Sequence, residues 1–99
     1  MKNQQLSLPK NEVDSVFVLY QNKDFQRAID KIKALNKKHP NEPILFNLIG
    51  ACYKELGELE GAAKMFKIAV SINSNYSEAH FNLAVMQQAL GHLENAIDS

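Results

Sequence analysis

The amino-acid sequence predicts an all-α chain of about two and a half helix hairpins, stacked one on the next. The stretch LGELEGA at residues 56–62 recurs as LGHLENA at residues 90–96, which is 34 residues later, and five of the seven letters are identical. Between these turn signals, apolar residues recur every three or four positions, as they do on one face of a helix. A repeating hairpin of two helices buries its apolar face only by stacking on its neighbours.

Composition and charge indicate one ordinary globular domain. The chain has 99 residues, of which 45% are hydrophobic and 22% are charged, and its formal net charge is zero. No apolar run approaches the roughly 18 residues that cross a membrane, and the N-terminus lacks the apolar stretch of a signal peptide. The lysines between residues 31 and 38 fall where a helix is expected to end, so they fit the helix dipole better than a nucleic-acid site. We expect a cytoplasmic protein with neither a membrane nor a nucleic-acid partner.

The helices follow from the apolar spacing. We expect them at roughly 10–21, 25–38, 43–56, 59–72 and 77–90, and a sixth is expected to begin near residue 93. Gly57 and Gly91 are expected to form equivalent turns with positive φ, because glycine often ends a helix in this conformation. Lys23 occupies the matching position of the first hairpin. Pro40 is expected to stop the second helix.

Two sets of aligned positions are expected to carry the packing. Small residues let the two helices of a hairpin approach to about 8–10 Å, and these residues are Ala28, Ala62, Ala96, Gly50 and Ala84. Large residues fill the space between one hairpin and the next, and these are Tyr53, Leu59 and Phe66.

A hairpin of 34 residues with Gly50-Ala51-Cys52-Tyr53 in its first helix, followed by Gly57, Ala62, Phe66 and Ala69, resembles the tetratricopeptide repeat (TPR). The resemblance implies a right-handed α-α superhelix. Residues 1–8 would be an N-terminal extension, and the TPR domain at 9–99 would hold repeats at 9–42 and 43–76 and a partial repeat at 77–99. The chain also resembles the N-terminal TPR arrays of bacterial proteins that carry a sulfotransferase or glycosyltransferase domain downstream, although this sequence contains no such domain.

The resemblance also implies a peptide-binding groove on the concave face, lined by the first helix of each repeat. By the family register its residues are Val13, Phe17, Tyr20, Asn47, Ala51, Lys54, Phe81, Asn82, Val85 and Gln88. An apolar groove with a few polar side chains suits an extended peptide or an amphipathic helix. The alternative is that several of these residues only pack against neighbouring helices or against Leu6 and Leu8.

Two ligand-binding mechanisms of the family can be checked by position. Repeats that hold a C-terminal carboxylate use lysine, asparagine and arginine, whereas the corresponding residues here are Val13, Phe17, Leu48, Glu78 and Asn82. The asparagine ladder of the O-linked N-acetylglucosamine transferase type would use Asn82, but Leu48 and Asp14 occupy the other two rungs. Neither mechanism is expected.

Catalysis receives little support from the sequence. The residues His39, His80 and His92 are not spaced as metal ligands. The single cysteine, Cys52, lies on an apolar helix stripe and is expected to be a buried core residue. We expect no enzyme activity, no cofactor and no metal.

Two functional hypotheses remain. The first is a protein–protein interaction module that binds a protein or peptide partner in the concave groove. The second is a structural spacer or self-association segment of a longer TPR-containing enzyme, with no ligand of its own. The sequence ends soon after the second copy of the repeated stretch, so we expect an uncapped apolar end that favours a homodimer. Its residues would be Met86, Leu90, Leu93 and Ile97.

Overall fold

The chain forms a stack of consecutive α-helices. The computed structural model describes the backbone of residues 7–98 and the side chains of residues 7–93. Its helices are α1 Lys10–Gln21, α2 Phe25–Lys38, α3 Pro43–Glu55, α4 Leu59–Ile72 and α5 Ser77–Asp98. The main contacts join consecutive helices, so α1–α2 and α3–α4 form two hairpins and α5 adds half of a third. The all-α prediction is therefore confirmed.

The stack is elongated. The described part of the chain measures 60 × 30 × 19 Å, and its radius of gyration is 14.8 Å. A compact domain of about 100 residues has a radius of gyration near 13 Å. Stacking hairpins along one axis leaves one long side formed by α1, α3 and α5.

The first four helices begin and end where the sequence predicts, within one residue. Pro43 opens α3, where its fixed φ suits the first turn and its missing N–H is not needed. Helix α2 ends at Lys38, two residues before Pro40, and Lys37 and Lys38 complement the helix dipole in its last turn.

The turns inside the two hairpins have the same hydrogen bonds, displaced by 34 residues. The Gly57 N–H donates to the Lys54 carbonyl over 3.0 Å, and the Glu58 N–H donates to the Tyr53 carbonyl over 2.9 Å. In the first hairpin the equivalent bonds run from Lys23 and Asp24 and measure 2.9 Å each. This pair of bonds closes a helix through a residue with positive φ, and φ is 82° at Gly57 and 63° at Lys23. Lys23 therefore takes the glycine conformation although it is not a glycine.

The core consists of two apolar clusters that meet at Tyr53. The first joins α1, α2 and α3, with Val16, Ile32, Leu45 and Cys52 at its centre, and the half-buried Leu8 packs against it. The second joins α4 to α5; its buried members are Ala62, Ala63, Phe66 and Met86. As predicted, Ala28, Ala62 and Phe66 are fully buried, and Tyr53 contacts both clusters.

The predicted turn at Gly91 is wrong. Helix α5 runs without interruption for 22 residues, Ser77–Asp98, and includes Gly91 and His92. Continuing α5 through Gly91 keeps the backbone hydrogen bonds that a turn at this position would break.

The straight course of α5 changes the surroundings of several predicted residues. Ala84 was expected to face a partner helix and is exposed instead, because no described helix folds back onto that side of α5. Met86 was expected at the uncapped end, but it is only 3% exposed because it packs against α4. Leu90 is half-buried and Leu93 is 52% exposed. Leu6 and the side chains of Ala96 and Ile97 lie outside the described residues.

Candidate functional site

The long side formed by α1, α3 and α5 contains a small hollow, which we call the inner hollow. Its volume is about 130 Å³, and its lining residues are Phe17, Tyr20, Asn47, Leu48, Ala51, Glu78 and Asn82. These residues come from three helices that are far apart in sequence, so the stacking of the hairpins creates the site. Five of the ten groove residues predicted from the sequence lie here.

The other five predicted groove residues lie around the inner hollow or away from it. Phe81 and Val85 are 68% and 37% exposed on α5, and Gln88 is exposed farther along that helix. Lys54 is half-buried near the end of α3. Val13 packs against the first core cluster. Leu48 and Glu78 also line the inner hollow, although the family register does not include them among the groove residues.

Two asparagines are joined across the floor of the inner hollow. The Asn82 Nδ2 group on α5 donates to Asn47 Oδ1 on α3 over 3.0 Å. Asn47 is only 4% exposed, whereas Asn82 is half-buried. A buried amide needs hydrogen-bond partners, and this bond satisfies the Asn47 carbonyl oxygen while it orients the Asn82 amide. The Asn82 carbonyl oxygen and its second N–H stay available to a ligand.

The Tyr20 side chain closes one end of the inner hollow. Its hydroxyl donates to Glu55 Oε2 over 3.2 Å, and its ring meets Phe25 edge-on, with 5.3 Å between the ring centroids. Burial and the nearby Glu55 carboxylate both raise the pKa of Tyr20. The phenol therefore stays neutral and fixed, and it acts as an apolar wall with a polar tip.

Glu78 supplies the negative charge at the other end. It is exposed, and it has no ion-pair partner among the residues whose side chains are described. Burial and the Glu78 carboxylate raise the pKa of the neighbouring Tyr76, and a hydrogen bond with the Asn47 side chain offsets part of that rise. Glu78 is the one charged residue that lines the inner hollow.

Further concavities lie elsewhere in the described part of the chain, and two of them border α4. An apolar cavity of about 230 Å³ lies between α2, α3 and α4, where Ile32, Phe46 and Met65 contribute to its walls. An open depression of about 440 Å³ lies between residues 57–61 and the side chains of Leu90 and Leu93. The second corresponds to the end of α5 that the sequence predicted to be uncapped.

The residues considered for catalysis are not brought together. Cys52 is fully buried, and burial, with Glu55, raises its thiol pKa to about 11. His39 caps α2, and the His80 ring contacts the Ser74 carbonyl at 2.8 Å. Within the described residues, no group of three His, Cys, Asp or Glu side chains could hold a metal ion. None of the described helices is both long and apolar enough to cross a membrane.

Comparison with solved structures shows the fold. The second TPR domain of Spaghetti (RPAP3), bound to the HSP90 peptide SRMEEVD, is similar with a TM-score of 0.78 at 20% sequence identity, and the match covers 89% of this chain and 82% of that one. The first TPR domain of the same protein, bound to the same peptide, gives 0.76 at 23% identity and covers 84% of this chain and 66% of that one. The chain therefore has the TPR fold.

Curated relatives are longer proteins. The peroxisomal targeting signal receptor of Candida glabrata is 28% identical over 81 residues, which cover 82% of this chain and 14% of the receptor. Anaphase-promoting complex subunit 3 of Dictyostelium discoideum is 36% identical over 61 residues, which cover 59% of this chain and 6% of that subunit. No protein-family model matches the chain. The expected likeness to bacterial arrays stays a prediction.

Proposed function

We propose that this chain is a TPR protein-interaction module that binds an extended peptide segment of a partner protein along α1, α3 and α5. The observation that carries the proposal is the inner hollow, in which apolar walls surround an oriented, half-buried amide. Peptide sites combine these two features, since apolar pockets take side chains and polar groups hold the peptide backbone. The similar RPAP3 domains are bound to a peptide.

Exposed aromatic side chains supply the affinity in this proposal. Phe17 and Phe81 are 42% and 68% exposed, on α1 and α5. Large aromatic residues at an interface carry much of its binding free energy, because they bury a large area with few rotatable bonds. Asn82 supplies direction, since its free carbonyl oxygen and N–H match one peptide group of the ligand.

The ligand of the RPAP3 domains is a poor guide to the ligand of this chain. The positions that would hold a C-terminal carboxylate are occupied here by Val13, Phe17, Leu48, Glu78 and Asn82. Only Asn82 is a suitable donor, and the Glu78 carboxylate repels an acidic peptide. We expect the peptide SRMEEVD to bind this chain far more weakly than the natural partner does.

The experiment is an alanine comparison on a captured partner or on a peptide selected from a random library. We expect Phe17→Ala to weaken binding about thirtyfold, equivalent to about 2 kcal/mol for an aromatic anchor. Asn82→Ala should weaken it about fivefold, because one or two hydrogen bonds are lost. The matched control is Val18→Ala: Val18 is 53% exposed on the same helix and does not line the inner hollow. Equal affinity of all variants would refute peptide binding in the inner hollow.

A second candidate function is self-association through the end of α5. The exposed Leu93 and the half-buried Leu90 border the open depression beside residues 57–61. In this alternative the chain is a spacer within a longer protein and binds no peptide. Light scattering decides between the two: a dimer that Leu93→Glu converts to a monomer, together with no selectable peptide, supports the spacer.

A further inference from the structure

We infer that the inner hollow selects a peptide with a lysine or arginine next to an apolar anchor, taken from within a chain and not from its C-terminus. This inference rests on the proposed function and adds the chemistry of the ligand. Three features of the site carry it: the size of the hollow, the position of Glu78 relative to Asn82, and the distribution of charge along the long side.

The volume of the inner hollow determines which peptide side chain can enter it as the anchor. Its volume of about 130 Å³ is close to that of cavities of about 150 Å³ that accept one benzene molecule. One leucine or phenylalanine side chain fills such a space. The walls contributed by Phe17, Leu48 and Ala51 are apolar, so a charged side chain placed against them would lose hydration, whereas an apolar side chain would not.

The position of Glu78 determines where the peptide carries its positive charge, which is next to the anchor residue. Glu78 and Asn82 lie four residues apart on α5, so they are neighbours on one face, with about 5–6 Å between their Cβ atoms. A peptide group that bonds to Asn82 therefore lies within one residue's reach of the Glu78 carboxylate. A lysine or arginine at that point would pair with Glu78, whereas a glutamate, an aspartate or a terminal carboxylate would be repelled.

The remaining charges do not cancel Glu78. Lys54 is the one cation among the predicted groove residues, but it lies seven residues, or about 10 Å, along α3 from Asn47. It also lies next to Glu55, whose carboxylate accepts the Tyr20 hydroxyl. Lys10 pairs with Asp14 over 3.0 Å on α1. The charge next to the anchor site is therefore negative.

Glu78 also lies in the first turn of α5, where a carboxylate stabilises the helix dipole. A purely structural role would make Glu78 variants less stable without changing which peptides bind. The test must therefore compare peptides on the same variant, because a ratio of affinities does not depend on the fraction of folded protein.

The experiment uses three series of N-acetylated, C-amidated nonapeptides with leucine or phenylalanine at the centre. The series differ only in carrying lysine, serine or glutamate, scanned through the flanking positions. We expect the best lysine peptide to bind about fivefold more tightly than its glutamate counterpart, which corresponds to about 1 kcal/mol from one partly exposed charge pair and its repulsive counterpart. The difference should shrink at high salt.

Variants of the protein identify the side chain that is responsible for the preference for lysine peptides. Glu78→Gln should remove the preference for lysine over serine, and Glu78→Lys should reverse the order of lysine and glutamate. The matched control is Glu60→Gln, which removes an exposed carboxylate from the first turn of α4 and should leave the order unchanged.

Three results would overturn the inference, and they differ in what they imply. If all three series bind equally and Phe17→Ala weakens them all, the charge preference is wrong and the proposed groove stands. If the lysine preference persists in Glu78→Gln, another group selects the charge. If no series binds and light scattering shows a dimer, both the inference and the proposed function fail.

Discussion

The ring of Phe66 on α4 occupies the space that a side chain at Gly50 on α3 would need. A Cβ atom at position 50 would lie 2.6 Å from Phe66 Cε1 and 2.8 Å from Cδ1. Phe66 is fully buried, so the ring has no room to move away. Glycine at position 50 therefore lets α3 and α4 pack this closely.

Gly50→Ala should therefore destabilise the chain. We expect a loss of about 1–3 kcal/mol in the free energy of unfolding, because the added methyl group overpacks a buried contact. Urea denaturation followed by circular dichroism measures it. The matched control is Gly61→Ala, where the added Cβ would lie 3.5 Å from the Tyr53 ring, an ordinary contact. That substitution should be neutral or stabilise by up to about 1 kcal/mol through helix propensity.

The two aligned glycines of the repeat should respond in opposite directions to alanine. Gly57 has a φ of 82°, and a residue with a Cβ atom pays about 1–2 kcal/mol in that conformation. Gly91 lies inside α5, where a Cβ atom would meet nothing within 4 Å. Gly91→Ala should therefore stabilise α5 by up to about 1 kcal/mol. A loss of stability in Gly91→Ala would instead show a turn at that position.

The turn at Lys23 offers a gain in stability. Lys23 has a φ of 63°, and Lys23→Gly removes the cost of the Cβ atom while adding chain entropy to the unfolded state. We expect a net gain of about 0.5 kcal/mol, because about 1–2 kcal/mol of relieved strain exceeds about 0.5–1 kcal/mol of added chain entropy; it is measured as a rise in the urea midpoint. Asn22→Gly is the control, since Asn22 has a φ of −81° and should only lose stability.

Because the Cys52 thiol is buried, the free energy of unfolding should depend on pH in the alkaline range. Burial, with the nearby Glu55, raises the Cys52 pKa to about 11 in the folded chain, whereas an unfolded cysteine titrates near pH 8.5. Between these values the unfolded chain loses its proton and the folded chain keeps it. The contribution of Cys52 to the free energy of unfolding should therefore be constant below about pH 8.5 and fall as the pH rises toward 11. The pKa values of Tyr20 and Tyr76 are also raised and add to the fall above about pH 10.

Urea denaturation at pH 7, 9 and 10 measures this dependence. Cys52→Ala should be less stable at every pH because it leaves a small cavity, yet its stability should change less between pH 7 and pH 10 than that of the parent chain. Equal pH dependence in both proteins would contradict the assignment. Iodoacetamide provides a second readout, since it should modify Cys52 only as fast as the folded chain opens.

The sequence predicts the hairpins well because their signals are local. Apolar spacing defines the stripe of each helix, and the proline at residue 43 and the glycine at residue 57 mark places where a helix begins or ends. These features depend on residues within a few positions of one another. They therefore survive in the folded chain with little influence from distant packing.

The same local reasoning fails at α5. LGHLENA has the letters of a turn, yet Gly91 stays helical, because a turn is stable only when the helix that follows has something to pack against. The opposite holds at Lys23. This residue is not a glycine, yet it adopts the positive φ of a turn, since the packing of α1 on α2 fixes the path of the backbone.

The site was harder to predict than the fold. Family register identified five of the seven residues that line the inner hollow, but the hydrogen bond between Asn47 and Asn82 joins residues 35 positions apart. Periodicity shows which residues share a face and does not show which polar groups on two faces will pair. Likewise, the Glu78 carboxylate lines the inner hollow only because of how α5 lies against α3.

The order of contacts along the stack has a consequence for how the chain folds. Because each helix packs mainly on the next one in sequence, the contacts close short loops, and a topology of this kind folds quickly. Folding can start at either hairpin and spread to its neighbour, and the ends can open while the middle stays formed. We therefore expect amide hydrogens of α3 and α4 to exchange most slowly and those of α1 to exchange faster. The inner hollow spans both regions, so a peptide bound across it would tie the end of the stack to its most protected part.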